Sequence, residues 1–337
     1  MSYFDDGRVY PPPDPRLLGV ALLGPRLRKS SGYAGVSGQN VWKRGVRIRS
    51  VDTAPAMAQT GGSVAAHGRW RGQEGAVMTT RTHAPEGAPC WADLWTSDVE
   101  GSRHFYGELL GWEPQEPSPE FGGYFMFHRL GAPVAGGMGP MGDMAANDTW
   151  KVYFATPDIQ RSAHLVEQLG GSAFGPATPV ADLGIQAVLA DPAGAPFGLW
   201  QPGSFQGFPV IAEPGAPSWF ELRSPAFDAI QSFYEQVLSL EVRPMAEPAG
   251  FRYATLRQAG TEEDLAGLMD GSMDPGGTPG WSIYFDVDDV DDAAGRVAAL
   301  GGAVASEPQS SPYGRMATVR DPAGAEFRLR GPVPTSS

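Results

Sequence analysis

From residue 90 onward the chain cycles between two hydrophobic periods. Short stretches with an apolar residue at every second position give way to stretches of about three turns whose apolar residues fall three or four apart. The first period predicts strands with one packed face and the second predicts amphipathic helices. In Asp158–Gly170 the helical positions are Ile159, Ala163, Val166 and Leu169; in Asp289–Gly301 they are Val290, Ala294, Val297 and Leu300. Phe227, Ile230, Tyr234 and Val237 repeat the spacing, and Val99, Tyr106 and Leu109 follow it more loosely. Asp158 is placed to cap its helix, and the Gly170–Gly171 and Gly301–Gly302 pairs to end theirs in a left-handed turn. Further β-rich stretches follow each helix: "GGYFMFHRL", "IQAVLADP", "FRYATLR" and "RMATVRDP".

The cycle is an internal repeat. "CWADLWTSD" (Cys90–Asp98) matches "SWFELRSPA" (Ser218–Ala226) at an offset of 128, and "FYGELLG" matches "FYEQVLS" at the same offset. "WKVYFATPD" (Trp150–Asp158) matches "WSIYFDVDD" (Trp281–Asp289) at 131, and "DPAGA" occurs at Asp191 and again at Asp321. The expected organisation is a first domain over residues 78–202, an irregular linker over 203–215, a second domain over 216–331 and a tail over 332–337. Residues 1–77 lack periodicity and are broken by Pro, Gly and Ser, so they read as a disordered leader or a mis-set start upstream of Met78.

Four units of strand, helix and three further strands, with an "FY" helix and a "D-P-x-G" turn in each domain, resemble the vicinal oxygen chelate superfamily of glyoxalases, bleomycin-resistance proteins and extradiol dioxygenases. The likeness covers residues 90–331, and the tandem form with Trp-rich first strands is similar to a glyoxalase-like actinobacterial subgroup. It implies an α+β fold in which four βαβββ units pair into two domains, each with a curved mixed sheet, helices outside and a ligand cavity inside.

Strand alternation assigns the cavity faces: Trp91, Asp93 and Trp95; Lys151, Tyr153 and Ala155; Trp219, Glu221 and Arg223; Ser282, Tyr284 and Asp286. The resemblance places metal ligands seven residues before each helix-capping position and seven after the Asp of each "D-P-x-G". Those six positions hold Trp91, Lys151, Gly198, Trp219, Ser282 and Arg328, none an ordinary ligand of a divalent ion. The second domain has no histidine, and His128 sits in a stretch that reads as a central strand. The candidate ligand-binding residues are therefore Trp91, Asp93, Trp95 and Tyr153 in the first domain, and Trp219, Glu221, Tyr284 and Arg328 in the second. Aromatic walls with one carboxylate and one hydroxyl suit a small organic molecule. Arg328 is positioned to pair with Glu221 and close the second cleft. No catalytic residue is assigned.

Composition narrows the partners. Residues 78–337 carry 14 Lys+Arg against 33 Asp+Glu, which opposes nucleic acid, while residues 1–77 carry 11 against 5. No apolar run approaches a membrane span. One cysteine, Cys90, excludes an intramolecular disulfide, and a cytoplasmic address is expected. Together these readings predict metal-independent binding of a small organic molecule, in a sequestration or resistance role, by a monomer or weak homodimer. No cofactor is expected. Two alternatives stand beside it: a metal-dependent glyoxalase or dioxygenase with atypical ligands to a divalent metal, and a regulatory or interaction protein with degenerate clefts.

Overall fold

The computed structural model describes residues 81–142, 144–245, 251–273 and 277–334. The readings of residues 1–77 as a leader or mis-set start, and of the last tail residues, lie outside them. The first domain runs β1 (Pro89–Trp95), α1 (Val99–Leu110), β2 (Glu113–Pro114), β3 (Phe125–Arg129) and β4 (Ala132–Met138), then β5 (Thr149–Ala155), α2 (Ile159–Gln168), β6 (Ser172–Ala173), β7 (Thr178–Val180), β8 (Gly184–Ala190) and β9 (Pro196–Pro202). Its sheet has the order β2-β3-β4-β1-β5-β9-β8-β6, with β7 on β8. The second domain runs β10 (Pro217–Ser224), α3 (Phe227–Leu238), β11 (Glu241–Pro244), β12 (Tyr253–Arg257) and β13 (Asp264–Asp270), then β14 (Gly280–Asp286), α4 (Val290–Val297), β15 (Ala303–Ser311), β16 (Gly314–Arg320) and β17 (Glu326–Gly331). Its order, β11-β12-β13-β10-β14-β17-β16-β15, repeats the first. The α+β fold of two mixed sheets and four helices is thus the one the periodicity and the resemblance imply.

Local chemistry sets the helix ends. Asp98, Asp158 and Asp289 each accept a hydrogen bond from the backbone N–H three residues on, which satisfies one orphan donor of the first turn. At the third helix the matching position is Ala226, which offers no side-chain cap; the Ser224 hydroxyl accepts from the Ala226 N–H at 3.2 Å, as Thr96 and Thr156 do from the N–H groups of Asp98 and Asp158. Gly170 and Gly301 turn left-handed at φ 87° and 85°, as their pairs predicted.

The first strands of paired units lie at the centre of each sheet. β1 pairs antiparallel with β5, placing Trp91 opposite Tyr153 and Asp93 opposite Lys151. β10 and β14 place Trp219 opposite Tyr284 and Glu221 opposite Ser282. Helices pack on one face of each sheet, and the helix faces of the two domains meet through aromatic side chains. Trp112 and Trp150 lie 5.0 and 5.3 Å from Phe285, while Phe154 lies 4.8 Å from Trp281.

This junction explains the recurrence of "DPAGA" and "FY" more fully than a closing turn does. One oxygen of Asp191 accepts from the backbone N–H groups of Ala193 and Ala195, each at 2.9 Å, and holds the turn. Its other oxygen accepts from the Tyr234 hydroxyl of the opposite domain at 3.0 Å. Asp321 holds its own turn in the same way and accepts from Tyr106 at 3.1 Å. Trp281 and Trp150 donate to the two tyrosine oxygens, each at 2.9 Å. Each domain therefore supplies a tyrosine to the other's turn.

His128 is not central: it lies on β3, second from the sheet edge, opposite Glu113 of β2. Among the described residues no helix is long and apolar enough to cross a membrane.

Candidate functional site

On the sheet face away from the helices, the first domain gathers three of its four candidate residues, Trp91, Asp93 and Tyr153, with Lys151 of the same predicted face and with Tyr124, which sequence reading did not single out. The Trp91 indole N–H points at both Asp93 Oδ1 (2.9 Å) and the Tyr124 hydroxyl (2.8 Å), and Tyr124 donates to the same Oδ1 at 2.7 Å. Tyr124 arrives from the turn before β3, so the cluster joins three segments of the chain. Gly136 on β4 makes this possible. A Cβ there would stand 1.9 Å from the Tyr124 oxygen and 2.4 Å from Asp93 Oδ1.

Lys151 and Tyr153 of β5 complete the cluster. Asp93 is 5 % exposed, Tyr153 2 % and Lys151 8 %. Burial raises the Asp93 carboxyl above its ordinary value, against the hydrogen bond from Tyr124 and the charge of Lys151, which lower it. Burial draws the Lys151 ammonium down to about 8, with Asp93 partly restoring it. Burial first, then the charge of Asp93 and a hydrogen-bonding interaction with its carboxyl, raise the Tyr153 hydroxyl well above its ordinary value, although the two groups do not meet in regular hydrogen-bond geometry. Among the described residues that hydroxyl has no hydrogen-bond partner of regular geometry.

Trp95 belongs to a neighbouring apolar patch with Met138 and Val188, against which Tyr124, Met141, Met144 and Phe174 pack; its N–H donates to the Gly139 carbonyl at 3.1 Å. At the other end Phe205 of the linker stands edge-on to Trp91 at 4.8 Å, and Phe208 lies 5.1 Å from it. The linker is therefore more than a connection, since its two aromatic residues cover one end of this face. The side chains expected to line an open cleft are themselves largely buried. A surface cleft of about 200 Å³ lies elsewhere, bordered by Leu110, Arg129, Gly215, Asp289, Asp292 and Arg296. It holds none of the predicted residues, and Arg296 there is already paired with Asp292 and the Glu108 carbonyl.

The second domain brings its residues together differently. Tyr284 donates to Glu221 Oε1 at 3.0 Å, and Arg328 donates to the same oxygen at 3.1 Å and to the Tyr284 hydroxyl. The Arg328 guanidinium also lies over the Tyr284 ring, 5.1 Å from its centroid. Trp219 donates to the Tyr253 hydroxyl at 3.1 Å. Glu221 is 7 % exposed and Tyr284 3 %. The ion pair between Arg328 and Glu221 is present, and both partners are largely buried. Tyr124 and Tyr253 occupy matching places 129 residues apart, so the repetition that singled out Asp93 and Glu221 would also have found them.

The residues do not fit a chelated divalent ion. Five of the six inherited ligand positions offer an indole, a cation or no side chain at all, and the sixth offers only the hydroxyl of Ser282. A carboxylate cannot return at Gly198 without displacing Tyr153, whose ring lies 2.1 Å from where a Cβ would stand. Among the described residues no group of three or more His, Cys, Asp or Glu could hold an ion.

Comparison with known proteins agrees with this architecture. A glyoxalase-like domain family matches residues 91–200, and the glyoxalase/bleomycin resistance protein/dioxygenase superfamily matches residues 217–329. The chain is 34 % identical over 262 residues to a Mycobacterium tuberculosis protein named "Putative glyoxylase CFP32", a match covering 76 % of this chain and 99 % of the relative. It is also 34 % identical over 268 residues to the anthracycline biosynthesis protein DnrV of Streptomyces peucetius, covering 74 % and 94 %. Among solved structures, the Mn(II)-bound glyoxalase of Novosphingobium aromaticivorans shares the fold, with a TM-score of 0.51 and 17 % identity over 75 % of this chain and 86 % of that one. Matched at both halves and along nearly the whole length of its relatives, the chain belongs to the glyoxalase/bleomycin resistance protein/dioxygenase superfamily, with two glyoxalase-like domains in tandem.

Proposed function

We propose that the protein binds a small organic molecule, without a divalent metal, on the Asp93 face of its first domain. The observation that carries this reading is a contrast between equivalent tyrosines. Tyr284 is fully engaged by Glu221 and Arg328, whereas Tyr153 buries a hydroxyl with no hydrogen-bond partner among the described residues, beside a buried carboxylate and a buried ammonium. Leaving such a group unmatched costs about 1–3 kcal/mol, a penalty that a ligand bearing a hydroxyl, carbonyl or cationic group would relieve. The indoles of Trp91 and Trp95 supply flat apolar surface beside it. The second domain has spent its carboxylate on Arg328, so the first is the better binder.

The Streptomyces relative is named for anthracycline biosynthesis, which makes an anthracycline the first aromatic probe. Titration of the full chain should quench Trp fluorescence and raise the melting temperature. Asp93→Ala should weaken that binding by about 1–3 kcal/mol, and Glu221→Ala should leave it nearly unchanged. Equal affinity in Asp93→Ala, or a loss confined to Glu221→Ala, would overturn the assignment. Elemental analysis of the purified protein should find no stoichiometric zinc, nickel, manganese or iron; one ion per domain would favour the metal-dependent reading instead.

A further inference from the structure

Lys151 is the only lysine among the described residues, and the other two, Lys29 and Lys43, lie outside them. It stands in the middle of the central strand pair, opposite Asp93, with only 8 % of its surface exposed. Burial lowers the pKa of its amine, and the Asp93 charge is the influence that raises it. Tyr153, two residues along the same face, brings a hydroxyl that interacts with the Asp93 carboxyl without a hydrogen bond of regular geometry. A buried amine flanked by a carboxyl and a hydroxyl is a constellation for attack on a carbonyl, with donors and acceptors in place for the protons. The second domain lacks it: Ser282 stands in the place of Lys151, and Arg328 cannot deprotonate.

We propose that Lys151 captures a small aldehyde or ketone as an imine, with Asp93 and Tyr153 moving the protons. This rests on the binding reading above and names its ligand class. The nitrogen lone pair forms the N–C bond while the carbonyl π pair moves onto oxygen, and one nitrogen proton is relayed to that oxygen to give the carbinolamine. The hydroxyl then takes a second proton from Asp93 or Tyr153 and leaves as water. The nitrogen lone pair closes the C=N bond, and the remaining nitrogen proton returns to the group that donated. The net reaction is amine plus carbonyl to imine plus water, with no change in oxidation state. An amine drawn down to about 8 is roughly one-tenth neutral at pH 7, against less than about one part in a thousand for an ordinary lysine.

The test uses salicylaldehyde with cyanoborohydride on the full chain, and 2-hydroxybenzyl alcohol as a probe that can bind without condensing. Reduction traps the imine as a secondary amine, adding the mass of the aldehyde less one oxygen. Peptide mapping should place the adduct on the β5 peptide at Lys151, formed at least tenfold faster than at Lys29 or Lys43. Lys151→Arg and Lys151→Met should lose that adduct while labelling of Lys29 and Lys43 stays unchanged. If both probes quench the wild-type chain but Lys151 is labelled no faster than the other amines, imine capture is wrong and the binding reading stands. If neither probe quenches and Lys151 is not labelled, both fall.

Discussion

At the scale of single residues, the two domains place the same tyrosine in opposite circumstances. Tyr284→Phe removes bonds to a carboxylate and a guanidinium, and should cost about 1–3 kcal/mol in chemical denaturation. Tyr153→Phe removes an unmatched hydroxyl, so unliganded stability should stay level or rise. A loss in Tyr153→Phe as large as that in Tyr284→Phe would show that Tyr153 is matched after all. The Asp93–Lys151 pair gives a second expectation. Lys151 lies opposite Asp93, whose charge raises its pKa against the effect of burial. Asp93→Asn removes that charge, so the Lys151 pKa should fall below its value of about 8. The shift can be followed by NMR titration of ¹³C-methylated lysine, where only three lysines give signals. A pKa that rises in the variant would contradict the pairing.

At the scale of elements, each "FY" helix is tied to the opposite domain's "DPAGA" turn. Tyr106→Phe leaves an oxygen of Asp321 and the Trp150 N–H without their partner, and should destabilise the chain by about 1–3 kcal/mol; Tyr234→Phe should match it at Asp191 and Trp281. Burial raises both Asp191 and Asp321 despite the hydrogen bonds they accept. The folded chain therefore binds these protons more tightly than the unfolded chain does. Their contribution to stability is fully present below the unfolded carboxylate value of about 3.9, and is lost as pH rises through the raised folded value. Asp321→Asn cannot ionise, so its stability relative to wild type should improve as pH rises from about 4 to 7. A difference that stays flat across that range would show that Asp321 does not titrate above its ordinary value.

At the scale of the molecule, the two helix faces form one aromatic interior. Phe105, Trp112, Trp150 and Phe154 of the first domain pack against Trp281, Phe285 and Phe327 of the second. Splitting the chain would expose these rings and break both tyrosine bonds at once. The intact protein should unfold in a single transition, whereas residues 81–215 alone should bind a hydrophobic dye and melt far lower. A separately expressed first domain with the parent's melting temperature and no dye binding would show that the junction adds little.

Much of this fold is written locally. The apolar periods, the Asp caps and the Gly pairs each lie within one helix or strand, so the strand–helix order and the fourfold unit were legible from residues alone. Alternation also placed Trp91, Asp93 and Tyr153 on one face, and Glu221 and Tyr284 on another, because the side-chain period of a strand is fixed at two. What lay beyond the sequence is what meets across the structure. Tyr106 and Asp321 are 215 residues apart, and no local pattern says that a helix of one domain will bond the turn of the other. Tyr124 reached Asp93 from the turn before β3, and Phe205 and Phe208 folded back over Trp91 from what composition marks as a linker. Whether a face is open or filled depends on the volumes of side chains arriving from several segments. Alternation decides only the direction of a side chain; the three-dimensional packing decided that Arg328 satisfies Tyr284 while Tyr153 is left without a partner among the described residues.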